Sequence, residues 1–216
     1  MDFLTALVSS WPVFLQGLGV TLALTALTLV FSVILGAVIT TLKLSPIRIL
    51  SGVASAYMAV VRGTPLIALL FVIYFGIVSI VKVDAFTASA VGLSVHASAY
   101  VAEIFRSGLS SVPRGQVEAA RSLGMSRVAT LQRIVVPQAI RVVVPALANQ
   151  AILSLKETSV AAFITVDELF QTSQRLSAAS FQPLTYYTIV SLYYLGIVGL
   201  MTLATSRIEA YFRKRA

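Results

Sequence analysis

Residues 3–42, FLTALVSSWPVFLQGLGVTLALTALTLVFSVILGAVITTL, run from one end to the other without a charged side chain. A membrane-spanning helix needs about 20 apolar residues, so this run commits the chain to a bilayer. Trp11-Pro12 reads as an interfacial aromatic followed by a helix-starting proline. The first span is therefore expected over about 13–42, long enough to tilt.

Outward from that run the same logic repeats. A second apolar stretch ends near Val81, before Lys82 and Asp84, and Arg62-Gly63-Thr64-Pro65 interrupts its start. Further spans are expected at about 86–109, 136–160 and 184–206. The expected fold is all-α and integral to the membrane, with five transmembrane helices in one domain over residues 1–216. Composition agrees: 58% of residues are hydrophobic, 11% are charged, and mean hydropathy is +0.93. Soluble domains carry about a quarter charged residues.

Several function classes fall away. Without cysteine there is no disulfide and no thiolate metal site, and His96 alone cannot build a multi-histidine centre. The net charge of +8 does not point to nucleic acid, because the cations cluster at span ends. The only early charge is Asp2, so a cleaved signal peptide is not expected. No glycine is followed by lysine, so the chain has no phosphate-cradling loop of the Gly-x-x-x-x-Gly-Lys type.

The cations set an orientation. Lys43 and Arg48 follow the first span, Arg106 to Arg141 surround the loop after the third, and Arg207, Arg213, Lys214 and Arg215 close the chain. The opposite side carries Asp2, Lys82, Asp84, Asp167, Glu168 and Arg175. The positive-inside rule puts the N-terminus outside and the C-terminus and the central loop in the cytoplasm.

That loop, about 110–136, is structured. Pro113 suits a helix start, Gln116 to Leu123 reads as helix, and Gly124 fits the left-handed position that ends one. Ser126 can cap a second helix leading toward Pro137. Val117, Ala120 and Leu123 share a face, leaving Glu118, Arg121 and Arg114 for a partner. Two readings stand on physics alone: a basic amphipathic segment on anionic headgroups, or a knob for a protein socket.

Glu118-Ala119-Ala120, with Gly124 three residues after Arg121, resembles the Glu-Ala-Ala loop of permease subunits of ATP-binding-cassette importers. Val61-Arg62-Gly63-Thr64-Pro65-Leu66 is similar to a segment of the polar amino-acid uptake branch. So are the stretch from Ala99 to Gln116 and Leu155-Lys156-Glu157-Thr158-Ser159-Val160. The branch's usual Arg-Gly-Gly run stands here as Arg106-Ser107-Gly108, a departure that is conservative in size. The resemblance implies a non-enzymatic permease subunit of the bacterial inner membrane. Its loop would dock, through Glu118, Ala119, Ala120, Arg121 and Gly124, on an ATPase subunit that holds ATP and Mg. Two such ATPases, a second permease copy or a sister permease, an extracytoplasmic solute-binding protein and surrounding lipid complete the implied assembly. No cofactor or metal is expected in the chain itself.

Ionisable and polar groups within the spans are the candidates for substrate contact, because each charge is costly there, about 2.5–3.5 kcal/mol. His96, Tyr100 and Glu103 form a stripe on the third span at spacings of four and three. Glu103 can instead pair with Arg106 or Arg62 as packing, and His96 reads as a hydrogen-bonded packing residue. On the fourth span Asn149 is expected near mid-bilayer and Glu157 in the outer half, beside Thr158 and Ser159. Glu157 is the foremost candidate to bind an ammonium or a cationic side chain. An internal arrangement with Lys156 is the alternative. Thr64 marks a broken helix whose free backbone groups can hold a charged group, or a simple elbow. Arg62 suits a substrate carboxylate or the cytoplasmic headgroups. Tyr186, Tyr187, Tyr193 and Tyr194 read as anchors and packing. Asp167 and Glu168 read as outer-loop charges, solvated or facing a solute receptor. The carboxylates at 103 and 157 lean the substrate toward arginine, lysine or histidine. A stand-alone channel or ion-coupled carrier, and a scaffold that recruits a partner without transport, are the rival classes.

Overall fold

A computed structural model describes residues 2–78 and 82–213, and every regular element among them is helical. Helix α1 spans Phe3–Lys43, 41 residues, and contains Pro12 rather than starting at it. The correction has a physical cause. Ala6 already donates to the Asp2 carbonyl at 3.0 Å, so the first turn closes upstream of the proline. Ala6, Ser10 and Phe14, at helical spacing, are all buried and hold those turns against the body.

The expected second span is two helices, α2 (Arg48–Gly63) and α3 (Leu66–Val78), bent by 110°. Pro65 causes the break. It supplies no N–H, and it forces the preceding Thr64 to extended geometry at φ −100°, ψ 133°. The expected end near Val81 lies outside the described residues. Five clean spans therefore become, among the described residues, four helices long and apolar enough to cross a membrane, or five if the bent pair is one span.

Helix α4 (Ala85–Ser110) matches its expected bounds within a residue. The Asp84 carboxylate starts it, accepting from the Thr87 amide at 3.1 Å and its hydroxyl at 2.7 Å. It is the central helix, with 67% of its apolar stretch buried. Helix α1 lies along it, with a buried stripe that recurs about every four residues: Thr25, Thr28, Ser32, Gly36 and Thr40. Small side chains let the two backbones approach. A Cβ at Gly36 would stand 2.6 Å from a Val101 methyl and 3.1 Å from the Ala102 amide. Thr40 donates across the seam to the Ala102 carbonyl at 3.1 Å.

The loop folds as α5 (Arg114–Ser122) and α6 (Arg127–Thr130), with Ser126 capping α6 by accepting from Ala129 at 3.1 Å. A π-turn over Leu131–Val135 precedes α7 (Val136–Glu157), directly upstream of Pro137. Widening the turn there accommodates a ring that would clash with the normal carbonyl. A 3₁₀ segment, Thr158–Ile164, follows, and then α8 (Leu169–Ser180) and α9 (Pro183–Arg213).

Phe14 stacks on Tyr193 at 5.1 Å and packs with Leu169, Tyr186 and Ile189 between α1, α8 and α9. Most of the tyrosine cluster is thus internal packing: Tyr186 is buried, Tyr193 and Tyr194 are half-buried, and Tyr187 is 38% exposed. Glu168 overturns its reading as a loop charge. It is fully buried, caps α8 by accepting from Gln171 at 2.7 Å, and accepts from the Tyr194 hydroxyl at 3.0 Å. Burial pushes its carboxyl above the usual range, against the opposing pull of those donors. Asp167 is exposed and paired with Arg175 at 3.0 Å.

Candidate functional site

Side chains four and three residues apart stack on one helix face, and on α4 that face carries His96, Tyr100 and Glu103. Their Cα atoms span about 10 Å of the helix. The His96 and Tyr100 rings lie 5.1 Å apart. The guanidinium of Arg62, from the end of α2, sits 5.6 Å over the Tyr100 ring. Its Nη1 is 4.0 Å from Glu103. Arg106 grips Glu103 from below: Nε donates to Oε2 at 3.1 Å, and Nη2 donates to Oε1. Both partners foreseen for Glu103 are present together.

Arg62, Tyr100, Glu103 and Arg106 line a cavity of about 720 Å³, joined by Lys43 and Ser55. Lys43 Nζ donates to the Ser55 hydroxyl. Three cations therefore converge on one carboxylate, leaving an excess of positive charge in a concave site. Lys43 and Ser55 were not among the expected residues. Their signal was available, because Arg48, Ser51, Ser55 and Arg62 share the polar arc of α2 while Ile49, Val53 and Val60 form an exposed apolar arc.

The opposite end of the column is closed by α7. Glu157, its last residue, places Oε1 3.7 Å from His96 Nε2. His96 is 6% exposed, and its Nδ1 is buried without a hydrogen-bond partner. The expected hydrogen-bonded packing histidine is therefore not what the fold presents. Thr158, beside Glu157, is fully buried and donates to the Leu155 carbonyl at 2.7 Å. Ser159 is half-buried and donates to the Lys156 carbonyl at 2.8 Å. Lys156 turns away, into an apolar cavity of about 610 Å³ with Tyr187 and Tyr194.

Two candidates lie apart from the column. Asn149 is about 12 Å along α7 from Glu157 and donates to Glu209 of α9 at 3.2 Å. Glu209 went unread in the sequence. It stands beside Arg141 and Ser206 in a further cavity of about 570 Å³. Thr64 sits at the α2/α3 break, but its hydroxyl donates to the Val60 carbonyl at 2.8 Å. The break offers backbone groups rather than that side chain.

The loop helix α5 forms a separate surface. Its C-terminus closes with the Met125 amide donating to Ala120 at 3.1 Å and Gly124 to Arg121 at 3.0 Å. Gly124 stands at φ 82°, where a side chain would be strained. Ala120 is buried and Val117 half-buried, whereas Glu118, Ala119 and Arg121 are exposed. Leu123 does not share the buried face; it is 85% exposed, because the chain leaves the helix there. Val128 is exposed nearby. The Gln138 side-chain amide donates to Gln116 at 2.6 Å, tying α5 to α7. Among the described residues no group of three or more His, Asp or Glu side chains could hold a metal ion.

A family model described as "Binding-protein-dependent transport system inner membrane component" matches residues 29–215. The chain is 37% identical over 203 residues to the L-cystine transport system permease protein TcyB of Bacillus subtilis (strain 168), covering 93% of this chain and 87% of the relative. It is 32% identical over 211 residues to the arginine transport system permease protein ArtQ of the same organism, covering 97% and 96%. Its fold is similar to a chain in the crystal structure of an amino acid ABC transporter with histidines. That match has a TM-score of 0.93 and 36% identity, and covers 98% of this chain and 99% of the other.

Proposed function

The chain belongs to the family of binding-protein-dependent transport system inner membrane components, as a permease subunit of an ATP-binding-cassette importer for amino acids or related polar solutes, and on that premise we propose that it imports amino acids with a cationic group. In such importers a separate ATPase subunit binds ATP and Mg, and a solute-binding protein delivers the cargo; the permease itself catalyses nothing. It is a multi-pass protein of the inner membrane.

The observation that carries the proposal is the separation of charge along α4. Glu157 stands at one end of the polar column, and Arg62, with Lys43 and Arg106, at the other. Glu157 draws the ammonium or cationic side chain, and the cation-rich cavity draws the carboxylate. Tyr100 lines the way between them, and Glu103 stands within the cation-rich end. Thr64, Thr158 and Ser159 shape the route through the backbone breaks they occupy. Asn149 acts at a distance, by fixing α7 to α9.

The surface around Glu118, Ala119, Ala120, Arg121 and Gly124 is the dock for the ATPase. Exposed Leu123 and Val128 favour a protein socket over headgroups, because they sit on a polar loop. The N-terminus lies outside and the C-terminus in the cytoplasm, with two ATPases bound inside. A second copy of the chain, or a sister permease, completes the pathway. Only 11% of the apolar stretch within Arg127–Ile164 is buried, which leaves that helix open for such a neighbour.

The test is ATP hydrolysis and uptake of arginine, histidine, glutamine and glutamate in liposomes holding the chain, its ATPase and its solute receptor. ATP-dependent uptake that favours arginine or histidine supports the reading. Glutamate taken up as well as arginine refutes the cationic preference, and uptake without ATP refutes the importer mechanism.

A further inference from the structure

We infer that α2 lies along the cytoplasmic face of the bilayer and binds the headgroup of an anionic phospholipid through Arg48. At 16 residues, about 24 Å, the helix could instead form most of a span. The bend decides against that. The axes of α2 and α3 differ by 110°, so where α3 runs across the bilayer α2 is 20° from perpendicular to it. Its neighbours agree. Ser55 meets Lys43, the last residue of α1, and Arg62, seven residues on, meets Glu103 near the cytoplasmic end of α4. Upright, those seven residues would climb about 10 Å, yet both positions open on one cavity.

At about 100° per residue, α2 divides into three arcs. Ala54, Met58 and Val61 are buried, the first two against Ile39 of α1 and Ala102 of α4. Arg48, Ser51, Ser55 and Arg62 make the polar arc. Ile49, Val53, Ala56 and Val60 make the third arc, which packs on nothing in the chain: Ile49, Val53 and Val60 are 76%, 59% and 64% exposed. The polar and exposed apolar arcs are centred about 140° apart. A helix so divided sits in the interface, with its apolar arc among acyl chains and its polar arc toward headgroups and water.

The charge at the start of α2 identifies the lipid. Arg48 is exposed and, among the described residues, has no ion-pair partner. The sequence holds no Asp or Glu between Asp2 and Asp84, and Glu103 of α4 is already engaged by Arg62 and Arg106. Exposed Leu44 and Ile47 precede the arginine, so it stands on an apolar surface without a protein anion. An anionic headgroup supplies the missing charge, and the long arginine stem lets the guanidinium reach it from the acyl boundary. Helix α2 carries Ser55 and Arg62 into the cation-rich cavity, so the lipid that holds the helix also holds one wall of that cavity. The site needs only that α1 and α4 cross the bilayer; which leaflet it faces follows from the orientation proposed above.

The experiment uses the full chain in nanodiscs, with tryptophan as the probe. The chain's one tryptophan is Trp11, so Trp11→Phe clears the background for V53W or V60W. Lipids brominated near the glycerol or near the chain terminus report depth by quenching. In the bilayer plane residues 53 and 60 differ in depth by about 4 Å, and both should be quenched more by the shallow bromines. In an upright span they would differ by about 10 Å and prefer different bromines, which overturns the orientation. No quenching at either position means that protein covers the arc, a second copy first among the candidates, and overturns it too. Shallow-brominated phosphatidylglycerol is then competed against plain phosphatidylcholine at low salt. It should be preferred at V53W by about fivefold, the worth of one arginine near an anionic surface. The preference should vanish in R48Q and persist in R48K. Equal affinity for the two lipids with Arg48 intact, or a preference that survives R48Q, overturns the headgroup site. A monodisperse elution profile identifies the folded variants, and two probe positions guard against the loss of one. No cargo enters the measurement, so its outcome is separate from that of the uptake assay.

Discussion

Gly36→Ala should loosen the central seam of the protein, and its effect can be worked out atom by atom. The added methyl would lie 2.6 Å from Val101 Cγ1, 2.9 Å from Val101 Cβ and 3.1 Å from the Ala102 amide nitrogen. The Val101 methyl can rotate, but the Ala102 backbone cannot. Restoring ordinary contact requires α1 and α4 to part by several tenths of an ångström. That movement stretches the bond from Thr40 to the Ala102 carbonyl, now 3.1 Å, toward the limit of a hydrogen bond. Overpacking costs about 1–3 kcal/mol and the weakened bond about 0.5–1.5 kcal/mol. The intrinsic helix preference of alanine offsets about 1 kcal/mol of this. A net loss of about 1–3 kcal/mol is expected, read as reversible unfolding of purified protein in mixed micelles. Gly52→Ala on α2 is the control, because its new methyl meets nothing within 4 Å and should be neutral or stabilising. If Gly36→Ala proves as benign as Gly52→Ala, the close approach of α1 and α4 does not hold the fold together.

Three further outcomes are expected. Glu118→Lys should cut ATP-driven uptake at least about tenfold while the protein remains inserted and folded, and unchanged uptake would remove α5 from the coupling surface. Glu157→Gln should weaken arginine transport more than glutamine transport, by about tenfold; an equal effect on both reassigns the residue to packing. Glu168→Gln should flatten the pH dependence of stability. The folded protein holds that carboxyl above the usual range, so its contribution is complete below the ordinary carboxylate range and is lost as pH rises through the raised value. Thermal unfolding between pH 4 and 8 measures this, and an equally steep slope in the variant would refute it.

The spans were legible because hydropathy reports transfer to lipid directly, and α4 was foreseen to within a residue. Pro12 misled because proline statistics describe helix starts, whereas packing of Ala6, Ser10 and Phe14 carries α1 past it. Gly124 and Ser126 were readable, since a left-handed stop and an oxygen cap are local chemistry. The His96–Glu157 meeting was not, because it joins residues 61 positions apart on helices whose relative rotation no local signal fixes. Glu168 was misread for a related reason: a charge next to Asp167 looks like loop, and its burial is made tolerable by the Phe170 and Gln171 amides together with the tertiary donors Tyr194 and Thr21. The hydroxyl stripe of α1 was present in the sequence as a four-residue period, hidden inside a run read only for its lack of charge.

The contact between Gly108 and Val143 joins the two helices that carry His96 and Glu157. A methyl on Gly108 would overlap the Val143 side chain, so α4 and α7 are in contact at that level. Beyond it, the chain reaches α5 through residues 111–113 alone, and Gln138 ties α5 back to α7. From that contact His96 lies about 18 Å along α4 and Glu157 about 21 Å along α7. A displacement of α5 that reaches either helix is therefore carried toward the place where histidine and carboxylate meet.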